Sequence, residues 1–301
     1  MNKKLFFIAA ATAVALSVSA QTVVGIASGQ PTGTNYPMAE DIKRVCSSNT
    51  TTIYNVTSDG SLDNILKISG DKSVQYGIIQ ADALEYQKGI DPNMMKKIVM
   101  VFPFFSTEIH VVKKAGSNIK SLADLAGKRV VEGPEGSGTW VTVQVIKALT
   151  GLQWTAINAS QPAGLEMVKN GQADAEFIVA GKPIGMLEKA TGFELVSVSH
   201  PKLDGFGLYT KTMIQTGVYS SQKTAVTTYK VDNVLATFAF KNQYQKEISD
   251  LVTCITRNIG TLQKTGHPKW RDVDPLDIDR ITWPSHPAAV SSIKREAKRV
   301  Q

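Results

Sequence analysis

Short β-branched runs alternate with stretches of helically spaced apolar residues along this chain, and that alternation restricts it to a parallel sheet with helices on both faces. Residues 22–27 (TVVGIA), 52–57 (TIYNVT) and 74–80 (VQYGIIQ) read as three strands. After the first, Tyr36, Met38, Ala39, Ile42 and Val45 recur at helical spacing over residues 34–45. A helix through Asn64, Leu66 and Ile68 follows the second, capped by Ser58 or Ser61, and another opens at Ala81 after the third. In open α/β sheets the ligand crevice lies outside the carboxyl ends of the strands. Those ends carry Ser28, Thr32, Thr34, Ser58, Ser61, Gln80 and Asp82, which gathers hydrogen-bonding capacity along one edge.

A second alternating set follows. Residues 97–105 and 109–113 are extended, and 121–125 form a short helix. The stretch VVEGPEGSGTWVTVQVI (130–146) runs from strand through glycine turn into a helix expected over 139–149. Residues 162–169 are helical, 173–179 extended and 184–190 helical, with Pro183 in the first turn of the last. Two α/β units in tandem imply two lobes with a cleft between them. The final third predicts a long strand over 229–239, a helix over 241–263 and a terminal helix after Trp283-Pro284-Ser285-His286-Pro287.

The glycine turn discriminates between chemistries. A nucleotide-hydrolase phosphate loop needs G-x-x-x-x-G-K-[ST], but Thr139 and Trp140 follow Gly138. The dinucleotide pattern G-x-G-x-x-G fails at Val141. What remains is a small-residue turn at a helix start. Its Ser137 and Thr139 hydroxyls and free backbone N–H groups either cradle an anion or simply cap the helix. Tyr36 is either a ligand-facing ring or core, Phe104 and Phe105 are ligand wall or packing between lobes, with packing preferred, and Lys182 reads as a solvated lysine rather than a ligand salt bridge.

Lys3 and Lys4, an uncharged apolar run over 5–18 and the small-x-small site Val18-Ser19-Ala20 together make an export leader. Cleavage is expected after Ala20, which leaves a periplasmic chain; an uncleaved anchor is the alternative. About 280 residues then remain, enough for one large or two ordinary domains. The formal charge of +7 includes the two leader lysines. The basic residues are spread out except for Lys294-Arg295-Glu296-Ala297-Lys298-Arg299, and no aromatics interleave them, so no nucleic-acid partner is expected. A positive surplus suits a small anionic ligand. His110, His200, His267 and His286 are scattered, and there is no G-x-S-x-G or H-E-x-x-H. No metal, cofactor or catalytic constellation is expected.

The stretches ASGQPTGTNYPMAEDI (27–42), TSDGSLDNIL (57–66), QYGIIQADAL (75–84), SLADLAGKRVVEGPEGSGT (121–139) and NGQADAEFIVAGKP (170–183) carry a family resemblance. The chain resembles the extracytoplasmic solute receptors of tripartite ATP-independent periplasmic (TRAP) transporters, of the TAXI branch. The resemblance implies an α/β, two-lobed type II periplasmic binding protein fold with crossing segments near 106–110 and 222–228. One lobe would comprise 21–108 with 225–301 and the other 109–224. It also implies a monomer that hands its solute to integral membrane TRAP permease subunits driven by an ion gradient. Where that family more often has arginine after GSGT, this chain has Trp140, and its second turn reads Ser58-Asp59-Gly60-Ser61.

Strand ends and resemblance together place Ser28, Gly33, Thr34, Tyr36, Ser58, Ser61, Gln80, Ser137, Gly138, Thr139, Trp140 and Gly181 around the ligand. The leading expectation is a receptor for a small organic anion, a carboxylate such as glutamate or a 2-oxo acid. Two others compete: a receptor for an ATP-driven phosphonate or sulfonate importer, and an exported α/β enzyme. In a two-lobed receptor the chain's beginning and end share a lobe, so Cys46 and Cys254 are expected to form a disulfide in the oxidising periplasm.

Overall fold

The computed structural model describes residues 21–239 and 245–300. The expected leader with its site after Ala20, and residues 241–244 of the helix expected over 241–263, lie outside the described residues. The first unit is β1 (Thr22–Ala27), α1 (Asn35–Cys46), β2 (Thr51–Val56), α2 (Ser61–Gly70), β3 (Tyr76–Gln80) and α3 (Ala81–Ile90), with the single-turn α4 (Pro92–Met95). There follow β4 (Ile98–Lys114), β5 (Arg129–Val131), α5 (Gly138–Thr150), β6 (Thr155–Ile157), α6 (Gln161–Lys169) and β7 (Ala175–Ala180). Short pieces come next, α7 (Gly185–Glu188), β8 (Phe193–Leu195), α8 (Pro201–Asp204) and β9 (Tyr209–Ile214). The chain closes with β10 (Val226–Phe238), α9 (Gln245–Arg257), α10 (Ile259–Thr265) and α11 (Pro287–Val300).

The strands lie in the order β2-β1-β3-β10-β4-β7-β5-β6, with β8 on β4 and β9 on β10. Each unit has the expected parallel core, β1 between β2 and β3, and β5 between β6 and β7. The whole sheet is not parallel, however: β4 and β10 run antiparallel to each other and to β7 and β3 respectively. These two long strands pass from one lobe into the other. Residues 98–103 of β4 pair with 234–238 of β10, and Thr107 and Glu108 pair with Val231 and Lys230, with a register shift between Asp232 and Val234. A bulge of this kind bends a strand without breaking it.

That continuity explains why 97–105 and 109–113 form one strand rather than two. The polar interruption Ser106-Thr107-Glu108 is absorbed by the partner strand. Ser106 Oγ donates to Asp232 Oδ1 at 2.7 Å and Thr107 Oγ1 donates to the Val231 carbonyl at 3.4 Å. The helix expected over 241–263 is divided at Asn258, whose backbone N–H and Nδ2 both donate to the Cys254 carbonyl. The helix expected over 184–190 is a single turn.

Core formation follows the two lobes. In the first, Ile26, Ile42, Ile65, Ile78 and Phe102 are fully buried with Trp270, whose Nε1 donates to Asp41 Oδ2 at 3.0 Å. Truncating a ring of that size costs about 3–5 kcal/mol. The second lobe buries Val111, Val130, Ile146 and Phe177 on one face of its strands, and Val112, Val131 and Ile178 on the other. Phe104 and Phe105 pack in the first core, with Phe104 edge-on to Trp270 at 5.2 Å. Cys46 and Cys254 are joined as a disulfide between α1 and α9, with Cα atoms 5.8 Å apart.

Candidate functional site

Four helix starts meet at one cleft between the lobes, with a volume of about 130 Å³. From the first lobe come Thr34 and Asn35 at the start of α1 and Gly60 and Ser61 at the start of α2. From the second come Ser137, Gly138 and Thr139 at the start of α5, and Ser160 and Gln161 at the start of α6. The first N–H groups of a helix lack partners within it, and the helix dipole adds partial positive charge there.

Of the residues expected around the ligand, Ser28, Gly33, Thr34, Ser61, Gln80, Ser137, Gly138 and Thr139 line this cleft. Tyr36, Ser58, Trp140 and Gly181 stand outside the lining. Trp140 meets Tyr86 of α3 edge-on at 5.9 Å and packs against the first lobe's core. Tyr36 accepts a hydrogen bond from Asn55 Nδ2 on its carbonyl, and Gly181 donates its N–H to Thr34 Oγ1 at 3.2 Å. Ser58 is buried, its carbonyl taken by Gln30 Nε2.

Sequence reasoning missed other residues of the lining, among them Gln30, Asn35, Thr107, Gln161, Val179 and Ala180. The Ser160-Gln161-Pro162 start of α6 carried the same small-polar signal as the other helix starts. Thr107 carried none, because it sits in the middle of a strand.

Four lining hydroxyls are more than nine-tenths buried, Ser28, Ser61, Thr107 and Thr139, and two of them, from opposite lobes, accept a backbone N–H. Ser61, 2 % exposed, accepts from the Gln80 N–H at 3.2 Å, and Thr139, 3 % exposed, accepts from the Val179 N–H at 3.0 Å. Each therefore keeps its own O–H proton for another acceptor. Ser137 caps α5 by accepting from the Trp140 N–H at 3.2 Å and likewise keeps its proton. Ser28 has spent its proton on Asn55 Oδ1 at 2.6 Å.

Among the described residues no lysine, arginine or histidine lines the cleft, and the one ionisable side chain is Asp59, which accepts from Gln30 Nε2 at 3.2 Å. Lys269, which packs beside Gly181, and Lys182 are engaged elsewhere. Lys269 reaches Glu108 Oε1 at 3.0 Å and Asp272 Oδ2 at 2.7 Å, and Lys182 donates to the Met213 carbonyl at 2.9 Å. Burial pushes the His110 imidazole down to about 4, so it is neutral, with Nδ1 near the Glu108 and Ile178 carbonyls and Nε2 at 2.9 Å from the Tyr219 hydroxyl. Burial raises Asp82 to about 6 against the Thr142 and Tyr209 hydroxyls that donate to it, and raises Glu176, whose oxygens have no partner among the described residues, to about 9. None of these three lines the cleft.

The lobes touch across the cleft. The Leu62 N–H donates to the Gly136 carbonyl at 3.3 Å. Gly60, at φ 122°, leaves room for Ser137, whose Cα would lie 2.9 Å from a β-carbon there. The arrangement can grip an acceptor-rich solute. Among the described residues no group of three or more His, Cys, Asp or Glu is placed to hold a metal, and no helix is long and apolar enough to cross a membrane.

Solved structures share this architecture. A periplasmic transporter structure matches with a TM-score of 0.56 at 12 % identity, covering 94 % of this chain and 97 % of that one. A putative sulfonate ABC transporter's periplasmic sulfonate-binding protein from Methylobacillus flagellatus KT matches at 0.50 and 16 % identity, covering 93 % and 78 %. The substrate-binding protein of an amino acid ABC transporter matches at 0.50 and 11 % identity, covering 81 % and 97 %. The fold is that of the two-lobed type II periplasmic binding proteins. The model of the NMT1-like family matches residues 26–291, and the chain belongs to that family.

Proposed function

We propose that this protein is a periplasmic solute receptor that closes on one small organic anion and delivers it to a membrane permease. The observation that carries the reading is the pair of buried hydroxyls, Ser61 and Thr139, which face the cleft from opposite lobes with undelivered protons. Four helix starts surround them, and a hydrogen bond to a charged group contributes about 1.5–3 kcal/mol. An anion held this way needs no cationic partner, which fits a lining without lysine or arginine. The ligand contacts in this reading are Ser28, Gly33, Thr34, Ser61, Gln80, Ser137, Gly138 and Thr139, and the solute is a carboxylate such as glutamate or a 2-oxo acid. Closure swings lobe 109–224 against 21–108 with 225–301, and the bend falls where β4 and β10 cross. The protein acts as a monomer after export and cleavage at Ala20.

The order of the TAXI-like stretches along the chain supports an ion-gradient-driven TRAP permease as the recipient. A second reading, an ATP-driven importer of a sulfonate or phosphonate, draws support from the Methylobacillus structure's likeness and from the number of donors, which suits a three-oxygen head group. A thermal-shift screen of carboxylates, sulfonates, phosphonates, neutral sugars and amines tests the reading. Binding to the folded state alone stabilises it by RT ln(1 + [L]/Kd) and so raises the melting temperature. Anions are expected to respond, and a response to neutral sugars alone contradicts it.

A further inference from the structure

Gln80 lines the cleft from the first lobe, but the direction its amide faces is settled in the second. Its Nε2 donates to Thr142 Oγ1 of α5 at 3.2 Å. The Thr142 hydroxyl donates to Asp82 Oδ2 of α3 at 2.6 Å, and the Tyr209 hydroxyl of β9 donates to the same oxygen at 2.9 Å. The chain of bonds crosses between lobes and has a fixed sense. Asp82 Oδ2 takes two O–H groups and acts only as an acceptor. Thr142 has given its single proton to it and can only accept in turn, so it selects the Gln80 nitrogen over the oxygen. An inverted amide would bring Oε1 against Thr142 Oγ1 and leave two acceptors facing each other in a buried place.

The consequence reaches the cleft. With one N–H given to Thr142, Nε2 keeps a second, and Oε1 rests against Gly138 at the positive end of α5. That second N–H is the donor Gln80 would offer a solute. Turned over, it would present an acceptor in that place and repel an anion. Asp82 is wholly buried, Oδ1 has no partner among the described residues, and no cation bonds to it. A carboxyl in such a position costs stability and has no part in either lobe's apolar core. Costly groups of this kind are expected where function requires them.

The geometry points to Asp82 as a positioning residue for solute capture, acting through Thr142 of the opposite lobe to hold the Gln80 amide with its donor side toward the cleft. This rests on the reading of the cleft as an anion site. The test compares wild type, T142V, T142S and D82A. Thr142→Val keeps the shape and removes the hydroxyl, whereas Thr142→Ser restores it; T142V carries the test if D82A does not fold.

Two readouts are taken. The first is hydrogen exchange of the Gln80 side-chain amide by ¹⁵N NMR without ligand, the signal being assigned by its loss in Gln80→Ala. The second is calorimetric titration with L-glutamate and with methanesulfonate. T142V and D82A are expected to speed the exchange at least tenfold and to weaken a probe that wild type binds at least tenfold, while T142S keeps both near wild type. Unchanged exchange in T142V overturns the proposal, as does unchanged T142V affinity for a probe that wild type binds. If neither probe binds wild type, the exchange result decides the relay by itself, and the anion reading of the cleft is what has failed.

Discussion

Gln80 of one lobe rests so closely on Gly138 of the other that a β-carbon at residue 138 would overlap the Gln80 Oε1. A side chain in place of this glycine of the GSGT turn therefore forces the Gln80 amide to move before the lobes can meet. Gly138→Ala is expected to leave each lobe folded, since residue 138 begins a helix that tolerates alanine. Closure would then require Gln80 to abandon Thr142. A tenfold or greater loss of solute affinity, with melting of the unliganded protein shifted by no more than about 1 kcal/mol, is the expected result. Calorimetric titration beside a denaturant melt checks both.

The Ser137 and Thr139 hydroxyls serve the fold and the cleft together. Ser137 caps α5 and Thr139 accepts from Val179, and in the proposed function both give their own proton to the solute. Replacing both by alanine should weaken anion binding by roughly ten- to several-hundred-fold, at about 1.5–3 kcal/mol for each lost bond to charge. It should also cost about 1 kcal/mol or more of stability for the cap and the stranded Val179 N–H. Unchanged affinity with lowered stability would reduce the turn to a cap.

Glu176 predicts a pH dependence of stability. Buried on β7 with neither oxygen partnered among the described residues, its carboxyl is raised from an ordinary 4.5 to about 9. The folded state then holds a proton that the unfolded state has released, so stability is full below the ordinary value and falls as pH rises toward 9. Between pH 6.5 and 8.5 the loss is about 3 kcal/mol from this residue. Urea melts of wild type and Glu176→Gln at those two pH values should show the wild type falling by that much more. Parallel behaviour of the two proteins would show that Glu176 is ionised or solvated in the folded state.

The disulfide between Cys46 and Cys254 ties α1 to α9 across 208 residues of chain. The chain-entropy model assigns a closed loop of this length about 5 kcal/mol at most. Melts of the Cys46→Ser/Cys254→Ser protein should show a loss of up to that size with solute affinity little changed, because neither cysteine lines the cleft. A large loss of affinity would mean that the α1–α9 contact controls closure.

Much of this was legible in the chain. The units β1-α1-β2-α2-β3-α3 and β5-α5, α6-β7 each have apolar periodicity ended by glycine or a capping residue, and their bounds fall within a few residues of the expected ones. Local signals of that kind also located the helix starts that line the cleft. The antiparallel course of β4 and β10 was not legible, because strand direction depends on partners far away in sequence, such as Ser106 with Asp232. The short strands β6 and β8 have three residues each, too few to show a period. Trp140 looked ligand-facing from its neighbours, but one residue along a helix turns the side chain by about 100°, here toward Tyr86 and the first lobe's core. Thr107 was invisible for the opposite reason, being placed at the cleft by a strand crossing and not by a local motif.

The central claim is that the cleft holds one small anion by neutral donors. Mass spectrometry of the compound released on denaturing natively purified protein tests it most directly, with native mass measured before release to count equivalents. The account predicts one equivalent of a carboxylate or sulfonate, absent from protein carrying Ser61→Ala and Thr139→Ala. A neutral sugar or a cation released in that amount, or an anion retained unchanged by the double variant, would contradict it.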